Sequence, residues 1–263
     1  MAYAFTQIET VCDVIRRVEA QLAAYRSASV STEISEHDKM FARGVPGAME
    51  HYLSVGYSAI ETVARAMICA GKTDIRSVLD LPSGAGRVTR HLRAFFPAAS
   101  LGVGDIDVPA RQFAAQAFAA EIVDPRPDFR DLPRQTFDLI FVGSLVTHFD
   151  ADQFRRAIQW LTRSLAQGGL LVVTTHGRRH DQFETQSHHC IEAARWAAVA
   201  KSVKDTGFGY VETERQQDLS IGANWSKPSW LMRLVEDDPA LQVILFQEAA
   251  WDQHQDVLVL QRT

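Results

Sequence analysis

The sequence predicts an α/β fold with a seven-stranded, mostly parallel sheet, a helical segment before it and an antiparallel hairpin at its end. From Ser77 onward, short apolar runs alternate with helical stretches, which is typical of β-α units around a parallel sheet. Residues 1–75 instead repeat their apolar residues at helical spacing. The last two β-rich runs are joined by a segment too short for a crossover helix, so they must pair antiparallel.

Two amphipathic helices are predicted before the sheet. Apolar residues recur at steps of three and four on one face of each helix: Ile8, Val11, Ile15, Val18 and Leu22, then Ala48, Tyr52, Val55, Ala59, Val63 and Met67. Residues 29–47 between them contain the turn Gly44-Val45-Pro46-Gly47, which indicates a loop or a short broken helix. We therefore assign residues 1–75 to an N-terminal helical cap and residues 76–263 to the main domain.

The main domain is predicted to contain seven strands, with three helices between the first five strands. The strands are Ser77 to Leu81, Ser100 to Ile106, Ala120 to Val123, Phe137 to Gly143, Leu170 to Thr175, Leu241 to Phe246 and Asp256 to Gln261. The helices are Gly86 to Phe96, Val108 to Ala119 and Ala151 to Leu165. Gly168-Gly169 is expected to end the last of these helices and lead into a strand.

Composition narrows the classes of protein. With 263 residues and 46% hydrophobic content, the chain can bury a full core as one large domain, with or without an appendage. A net charge of −5 gives no basic surface for nucleic acid, which favours a small-molecule ligand. Three scattered cysteines argue against a disulfide framework, and no apolar stretch reaches the roughly 20 residues of a membrane helix. These features predict a soluble cytoplasmic protein.

The stretch Asp80-Leu81-Pro82-Ser83-Gly84-Ala85-Gly86 is a strand followed by a small-residue turn that opens a helix. Such a layout directs backbone N–H groups at a ligand, although a tight turn without a ligand has the same pattern. A phosphate-binding P-loop requires Lys-Ser or Lys-Thr where Arg87-Val88 stands, and a dinucleotide fingerprint requires Gly or Ala where Thr89 stands. Both signatures fail at a diagnostic residue.

A carboxylate at the end of the next strand strengthens the ligand hypothesis. Asp105 lies twenty-five residues after Asp80, where a carboxylate can accept hydrogen bonds from two ribose hydroxyls. Asp107 has a simpler role as the N-cap of the helix that begins at Val108-Pro109. The pattern favours a nucleoside without phosphate groups.

Several segments, in order, resemble the class I S-adenosylmethionine-dependent methyltransferases. They are DLPSGAG, GDID, PDFRDLP, FDLIFVGSLVTHF, GGLLVVTTHGR and AWDQHQDVLVLQR, and they span most of the chain except its helical start and residues 180–229. A bacterial subset of that family has Pro at the first glycine position and Arg after the last one, as Pro82 and Arg87 do here. That subset commonly has Cys where this chain has Ser83. The resemblance implies a Rossmann-like fold and S-adenosylmethionine as the cofactor.

The resemblance also implies a set of cofactor contacts. Asp80 is expected near the cationic end of the cofactor, Asp105 at the ribose and Asp128 at the adenine amino group. The full set is Asp80, Pro82, Ser83, Gly84, Gly86, Asp105, Ile106, Asp128, Phe129, Gly143 and Ser144. Ser144 has the alternative of simply ending its strand.

The expected reaction is methyl transfer to an oxygen or nitrogen of a small metabolite. A general base is needed only for a hydroxyl or a protonated amine, and His148 is the candidate, with a structural histidine before the next helix as the alternative. The candidates for acceptor binding are Tyr52, His176, Trp225, Trp251 and His254, and ordinary core or turn positions are the alternative for each.

The stretch His176 to Cys190 is rich in histidine and invites a metal hypothesis. Its members His176, His180, His188, His189 and Cys190 do not have the spacing of two separated ligand pairs, so no metal is expected. We predict instead a flexible insertion with solvated or acceptor-facing histidines.

Two other classes of function stay open. One is a cofactor-binding interaction protein without activity, and the other is a nicotinamide oxidoreductase, against which Thr89 argues. The expected partner is a small-molecule acceptor, with neither nucleic acid nor membrane, and a homodimer is an open alternative.

Overall fold

The computed structural model of the chain describes residues 5–187, 191–216, 219–236 and 238–263. The described residues have the predicted fold class, a mostly parallel seven-stranded sheet with flanking helices and an antiparallel C-terminal pair. By its internal contacts the chain divides into two compact units: unit 1 runs to Val123 and unit 2 begins at Asp124. Within the described ranges, none of the helices combines the length and hydropathy that crossing a lipid bilayer requires.

Unit 1 contains four helices and three strands. In chain order they are α1 (Phe5–Ser27), α2 (Ala48–Ala70), β1 (Ser77–Asp80), α3 (Thr89–Phe95), β2 (Ser100–Val103), α4 (Val108–Ala117) and β3 (Glu121–Ile122). The strands are parallel and lie in the order β3-β2-β1. The carboxyl ends of β1 and β2 therefore meet at one edge, and this is where Asp80 and Asp105 were predicted to act.

The apolar faces of the first two helices are buried largely as predicted. In α2, the face that includes Tyr52, Val63 and Met67 is at most 1% exposed. In α1 the buried face is formed by Val14, Val18 and Tyr25, whereas Val11, predicted to lie on that face, is 58% exposed. The buried stripe of α1 is thus rotated from the predicted one, because Val14 and Tyr25 meet the core instead.

Unit 2 contains the remaining elements. They are β4 (Phe137–Val142), a 3₁₀ turn (Val146–His148), α5 (Ala151–Arg163), β5 (Leu165–Thr175), α6 (Arg178–Ser187), α7 (Ala193–Thr206), β6 (Phe208–Gln216), β7 (Leu219–Ser226), α8 (Pro228–Val235), β8 (Leu241–Trp251) and β9 (Gln255–Arg262). Its main strands lie in the order β4-β5-β9-β8. β4 and β5 are parallel, and β9 is antiparallel to both β5 and β8, which confirms the predicted terminal hairpin.

The prediction that Gly168-Gly169 ends a helix is wrong. Helix α5 ends at Arg163, and both glycines lie inside β5. A Cβ atom at Gly169 would lie 2.8 Å from the Ala166 carbonyl oxygen and 2.9 Å from that of Phe137. Glycine is therefore required by the close approach of backbone at the irregular start of the β4–β5 pairing.

The predicted flexible insertion after β5 is also wrong for the residues that the structure describes. The histidine-rich stretch continues as α6, while His188, His189 and Cys190 lie outside the described residues. Within residues 207–230, where no strand was predicted, the described residues form the antiparallel pair β6–β7 and the start of α8. The apolar alternation of a strand is weak in β6, because it contains exposed charged residues such as Glu212 and Glu214.

Candidate cofactor and acceptor site

The loop after β1 is a tight turn anchored to the end of β2. The Leu81–Pro82 peptide bond is cis. The Ser83 N–H donates to the Gly104 carbonyl at 2.8 Å, and the Gly86 N–H donates to the Ser83 carbonyl at 2.9 Å. These two bonds fix the path of the small-residue turn between β1 and α3.

The two glycines of the loop serve different purposes. Both have positive φ, +51° at Gly84 and +87° at Gly86. A Cβ atom at Gly86 would lie 2.3 Å from the Phe118 ring, whereas no heavy atom lies within 4 Å of a Cβ built at Gly84. Gly86 is therefore needed for internal packing, and Gly84 presents bare backbone to open space, where a ligand can approach it.

Asp105 joins the loop to the end of β2. Its Oδ2 accepts the Gly84 N–H and its Oδ1 accepts the Asp107 N–H, each at 2.8 Å. The side chain is partly exposed, and each carboxylate oxygen has a second lone pair. The geometry therefore fits the predicted acceptance of ribose hydroxyls. The neighbouring Ile106 is 62% exposed and offers an apolar surface beside the carboxylate.

Asp107 has the predicted capping role. Its Oδ1 accepts the Ala110 N–H at 3.2 Å at the start of α4, which confirms it as the N-cap. Its Oδ2 also accepts a hydrogen bond from Lys39 Nζ at 2.6 Å, which lowers the pKa of the carboxyl group.

Asp80 is buried and holds the start of α3. It is 1% exposed, and the Thr89 hydroxyl donates to its Oδ2 at 2.6 Å. Burial raises the pKa of Asp80 to about 7, against the opposing effect of the Thr89 hydrogen bond. Asp80 thus holds Thr89 in place. Its contact with the cationic end of the cofactor stays a prediction.

Arg90 is a residue of this site that the sequence reasoning missed. It is 2% exposed, and its guanidinium donates to the carbonyls of Gly86, Ser31 and Glu33 at 2.8–2.9 Å. It thereby ties the loop glycine to the segment between α1 and α2. The available signal was weak: an arginine one helical turn after Gly86.

Tyr52 lies in the same buried network, rather than on an open surface. It is 1% exposed, its hydroxyl donates to Asp38 Oδ2 at 2.5 Å, and the Arg90 guanidinium lies over its ring. Burial raises the pKa of the Tyr52 hydroxyl. These contacts give Tyr52 a structural role within unit 1, and its proposed contact with the acceptor has no geometric support there.

In unit 2, Asp128 and Phe129 form a turn with one open and one buried side chain. The Asp128 side chain is 31% exposed, with Arg126 and Arg130 at 3.6 and 3.8 Å. Phe129 has φ +55° and is 7% exposed. Its ring meets Phe149 edge-on, which anchors the turn. Asp128 therefore keeps carboxylate lone pairs available to a donor such as an adenine amino group.

The residues after β4 are fixed by a polar network. Ser144 has φ +59°, an unusual conformation for a residue with a side chain. Its N–H donates to Thr174 Oγ1 at 2.8 Å, and its hydroxyl accepts from Gln255 Nε2 at 3.0 Å. A Cβ atom at Gly143 would lie 2.9 Å from Phe141 and 3.1 Å from Trp251. Thr174 and Gln255, which the sequence reasoning did not single out, hold this turn.

His148 ends the 3₁₀ turn after β4 and is exposed. Its Nδ1 lies 2.9 Å from the Gly222 carbonyl oxygen, and because a carbonyl only accepts, Nδ1 carries the hydrogen. Nε2 of the neutral ring then holds a free lone pair. The cap of α5 is supplied by Asp150 and Gln153, which form a capping box, so His148 does not cap that helix.

The two tryptophans predicted to bind the acceptor differ in burial. Trp251 is 4% exposed and meets Phe141 edge-on at 5.9 Å between ring centroids, which favours the core alternative. Trp225 is only partly buried and packs against the apolar cluster of α7 that contains Trp196 and Val203, so its contact with an acceptor stays a prediction.

His176, His180 and His254 are brought together by the fold. One ring nitrogen from each lies within 4.8 Å of the others. His176 and His180 are each 7% exposed, which contradicts the solvated alternative, while the acceptor-facing alternative stays a prediction. Burial lowers the pKa of His176 well below its usual range and that of His180 to about 3, so both rings are neutral near pH 7. His254 was missed in the metal hypothesis because it lies 74 residues from His180 in sequence.

Comparison with known proteins shows that the chain is similar to methyltransferases. Residues 78–169 match the model of a family described as a methyltransferase domain. Trans-aconitate 2-methyltransferase of Mycobacterium ulcerans (strain Agy99) is 26% identical over 211 residues, which are 72% of this chain and 76% of that protein.

Solved structures of low sequence identity share the fold. An S-adenosylmethionine-dependent methyltransferase from Clostridium acetobutylicum superposes with a TM-score of 0.53 at 11% identity, covering 86% of this chain and 96% of that chain. The DhpI-SAM-HEP complex gives a TM-score of 0.53 at 19% identity, with 94% and 97% covered. The family model over residues 78–169 and the 26% identical relative support a methyltransferase that uses S-adenosylmethionine, and the solved structures share its fold.

Proposed function

We propose that this methyltransferase transfers the methyl group of S-adenosylmethionine to an oxygen or nitrogen atom of a small metabolite, leaving S-adenosylhomocysteine. The loop after β1 is the observation that carries the proposal: Gly84 faces open space, and its amide is held by the Asp105 carboxylate. The relative that is 26% identical supports a small acceptor, since its name gives trans-aconitate, a small acid, as the compound that it methylates.

The cofactor contacts follow from what each described side chain offers. In unit 1, the Asp105 carboxylate has lone pairs for the ribose hydroxyls, and exposed Ile106 offers apolar surface beside it. In unit 2, the half-buried Asp128 has a carboxylate for the adenine amino group. Pro82 and Arg87 support assignment to the bacterial subset with a proline in the first motif.

The cofactor supplies a methyl group already activated on a sulfonium, so the chain contributes mainly binding and orientation. His148 adds a base where the acceptor needs one. Its Nδ1–H is held by the Gly222 carbonyl, which leaves the Nε2 lone pair to take a proton from a hydroxyl or an ammonium group. A carboxylate acceptor is already ionised near pH 7 and needs no base. The dependence on His148 therefore differs between classes of acceptor.

The test combines cofactor binding with turnover. Calorimetry with S-adenosylhomocysteine measures the first, and formation of S-adenosylhomocysteine from S-adenosylmethionine over panels of small carboxylic acids, alcohols and amines measures the second. For an alcohol or amine acceptor, His148→Gln should lower kcat by about 100-fold. It should leave the Kd for S-adenosylhomocysteine within about twofold, because binding does not use the base. His51→Gln, at an exposed histidine of α2, is the matched control and should change neither value.

Three results would count against these assignments. Full activity of His148→Gln with an alcohol or amine acceptor would show that His148 is not the general base. Binding of S-adenosylhomocysteine without turnover on any panel would favour the cofactor-binding interaction protein instead. Absence of S-adenosylhomocysteine binding would overturn the cofactor contacts.

A further inference from the structure

Three histidines of unit 2 converge from separate parts of the chain. His176 follows β5, His180 lies in α6, and His254 lies in the turn between β8 and β9. One ring nitrogen from each lies within 4.8 Å of the others. The sequence spacing of these residues matches no metal motif, so only the fold creates this group of nitrogen donors.

The hydrogen bond of His176 leaves the lone pair of its other ring nitrogen free. His176 Nδ1 lies 3.0 Å from the Asn224 carbonyl oxygen, so Nδ1 carries the hydrogen and Nε2 is a free donor of electrons. A carbonyl that holds one ring nitrogen while the other binds a metal ion is the usual second-sphere partner of a ligating histidine. His176 therefore already has the tautomer that a ligand needs.

One pair of ring nitrogens lies at a distance that suits a hydrogen bond and is also close to that of two ligands on one ion. His180 Nδ1 and His254 Nε2 are 3.1 Å apart. Two imidazoles bound to one zinc ion at about 2.0–2.1 Å place their nitrogens roughly 3.3 Å apart in tetrahedral geometry. The His176 and His180 rings are stacked, with centroids 3.5 Å apart and planes 11° apart. Ligation by all three histidines thus requires one of the stacked rings to turn about its Cβ–Cγ bond.

Two polar atoms beside the group are buried and unsatisfied. Within the described ranges, His180 Nε2 and Glu184 Oε2 have no hydrogen-bond partner. Glu184 is 2% exposed and lies one helical turn after His180. Unpaired buried polar groups are costly, and a cation would compensate both atoms.

We propose that His176, His180 and His254 bind one divalent transition metal ion, zinc first, with Glu184 as the neighbouring oxygen donor. Imidazole nitrogens suit zinc and the other late first-row ions better than calcium or magnesium. Three imidazoles and one carboxylate give the four ligands of a tetrahedral zinc site. Metal binding at this site does not depend on the proposed methyl transfer.

The experiment uses the full chain with any affinity tag removed. Protein treated with EDTA and desalted is titrated with zinc chloride by calorimetry, and its metal content after dialysis is measured by mass spectrometry. We expect about one zinc ion per chain. His254→Ala should weaken zinc binding at least about tenfold, since a ligand is lost. Cobalt(II) should give a visible ligand-field spectrum with the wild type and a much weaker one with the variant.

Controls separate ligation from folding. His51→Ala removes an exposed histidine of α2 and should leave zinc affinity unchanged. His180→Ala removes a second ligand, and circular dichroism shows whether that variant folds. Because His254 lies in a turn and is only partly buried, its variant carries the test if His180→Ala does not fold.

Equal zinc affinity of the wild type and His254→Ala would overturn the site, and so would a wild type that binds neither zinc nor cobalt. In either case the three histidines would be hydrogen-bonding groups without an ion. Calorimetry with S-adenosylhomocysteine on the same metal-free samples reports on the cofactor separately. A loss there counts against the proposed function and leaves the metal result unaffected.

Discussion

Gly84 and Gly86 offer a direct test of which part of the loop faces the cofactor. Both glycines have positive φ, but a Cβ atom at Gly84 would meet nothing within 4 Å, while one at Gly86 would lie 2.3 Å from Phe118. Replacing each by alanine therefore adds the same methyl group to two different surroundings. Gly44→Ala is the matched control, since Gly44 also has positive φ and open space around it but lies in the turn before α2.

The expected magnitudes follow from these surroundings. A left-handed backbone costs an alanine about 1 kcal/mol, and this is the whole expected loss of stability for Gly84→Ala and Gly44→Ala. Gly86→Ala adds the displacement of a buried ring, which costs about 2 kcal/mol more. For Gly84→Ala the new methyl group occupies the surface that the cofactor approaches, so we expect the affinity for S-adenosylhomocysteine to fall at least about tenfold, or roughly 1.4 kcal/mol.

Urea denaturation measures the free energy of unfolding, and calorimetry with S-adenosylhomocysteine measures affinity. On heating, each 1 kcal/mol should lower Tm by about 2–4 °C for a chain of this size. The reasoning is refuted if Gly84→Ala binds S-adenosylhomocysteine as tightly as Gly44→Ala does. It is refuted in a second way if Gly86→Ala is no less stable than Gly84→Ala, because the contact with Phe118 would then not exist.

The remaining predictions concern unit 1. Asp105→Asn should weaken S-adenosylhomocysteine binding by about tenfold or more, because charge-assisted bonds to the ribose are lost, and unchanged affinity in calorimetry would remove the ribose assignment. Asp80→Asn tests the raised pKa: the folded state keeps the Asp80 proton up to about pH 7, while the unfolded chain loses it near pH ~4. The carboxyl group therefore stabilises the fold fully below pH ~4, and this contribution is lost as pH rises to about 7. Urea denaturation should accordingly show Asp80→Asn gaining stability relative to the wild type across that range, and a difference that is constant with pH would contradict the raised pKa. Tyr52→Phe should cost about 1–2 kcal/mol in urea denaturation through loss of the bond to Asp38, with the KM for the acceptor unchanged; a raised KM without loss of stability would restore its predicted role in acceptor binding.

Much of the cofactor loop could be predicted because its signals are local. A strand that ends in Asp80, two glycines at turn positions and an acid at the end of the next strand are all properties of short stretches. The role of Asp107 as a helix cap was predictable for the same reason, and the structure confirms it. What local signals did not show is that Gly86 is required by Phe118 rather than by a ligand.

Longer-range features were not predictable in the same way. Gly168-Gly169 resembles a helix end in sequence, and only the neighbouring strand backbone shows why glycine is needed there. The β6–β7 pair was missed because its exposed face carries charged residues that weaken the strand pattern. The role of Arg90 was not predicted, because the Ser31 and Glu33 carbonyls to which it donates lie more than fifty residues away in sequence.

The sequence by itself determined the α/β class, the order along the chain of the seven strands of the main sheet, and the kind of loop that precedes α3. Each of these depends on residues close together in sequence, where periodicity and turn chemistry act directly. The tertiary structure alone decided that His176 and His180 are buried and neutral beside His254, because that group exists only where α6 and the β8–β9 turn meet. Burial and the convergence of distant side chains depend on the packing of whole elements, which short stretches of sequence do not specify.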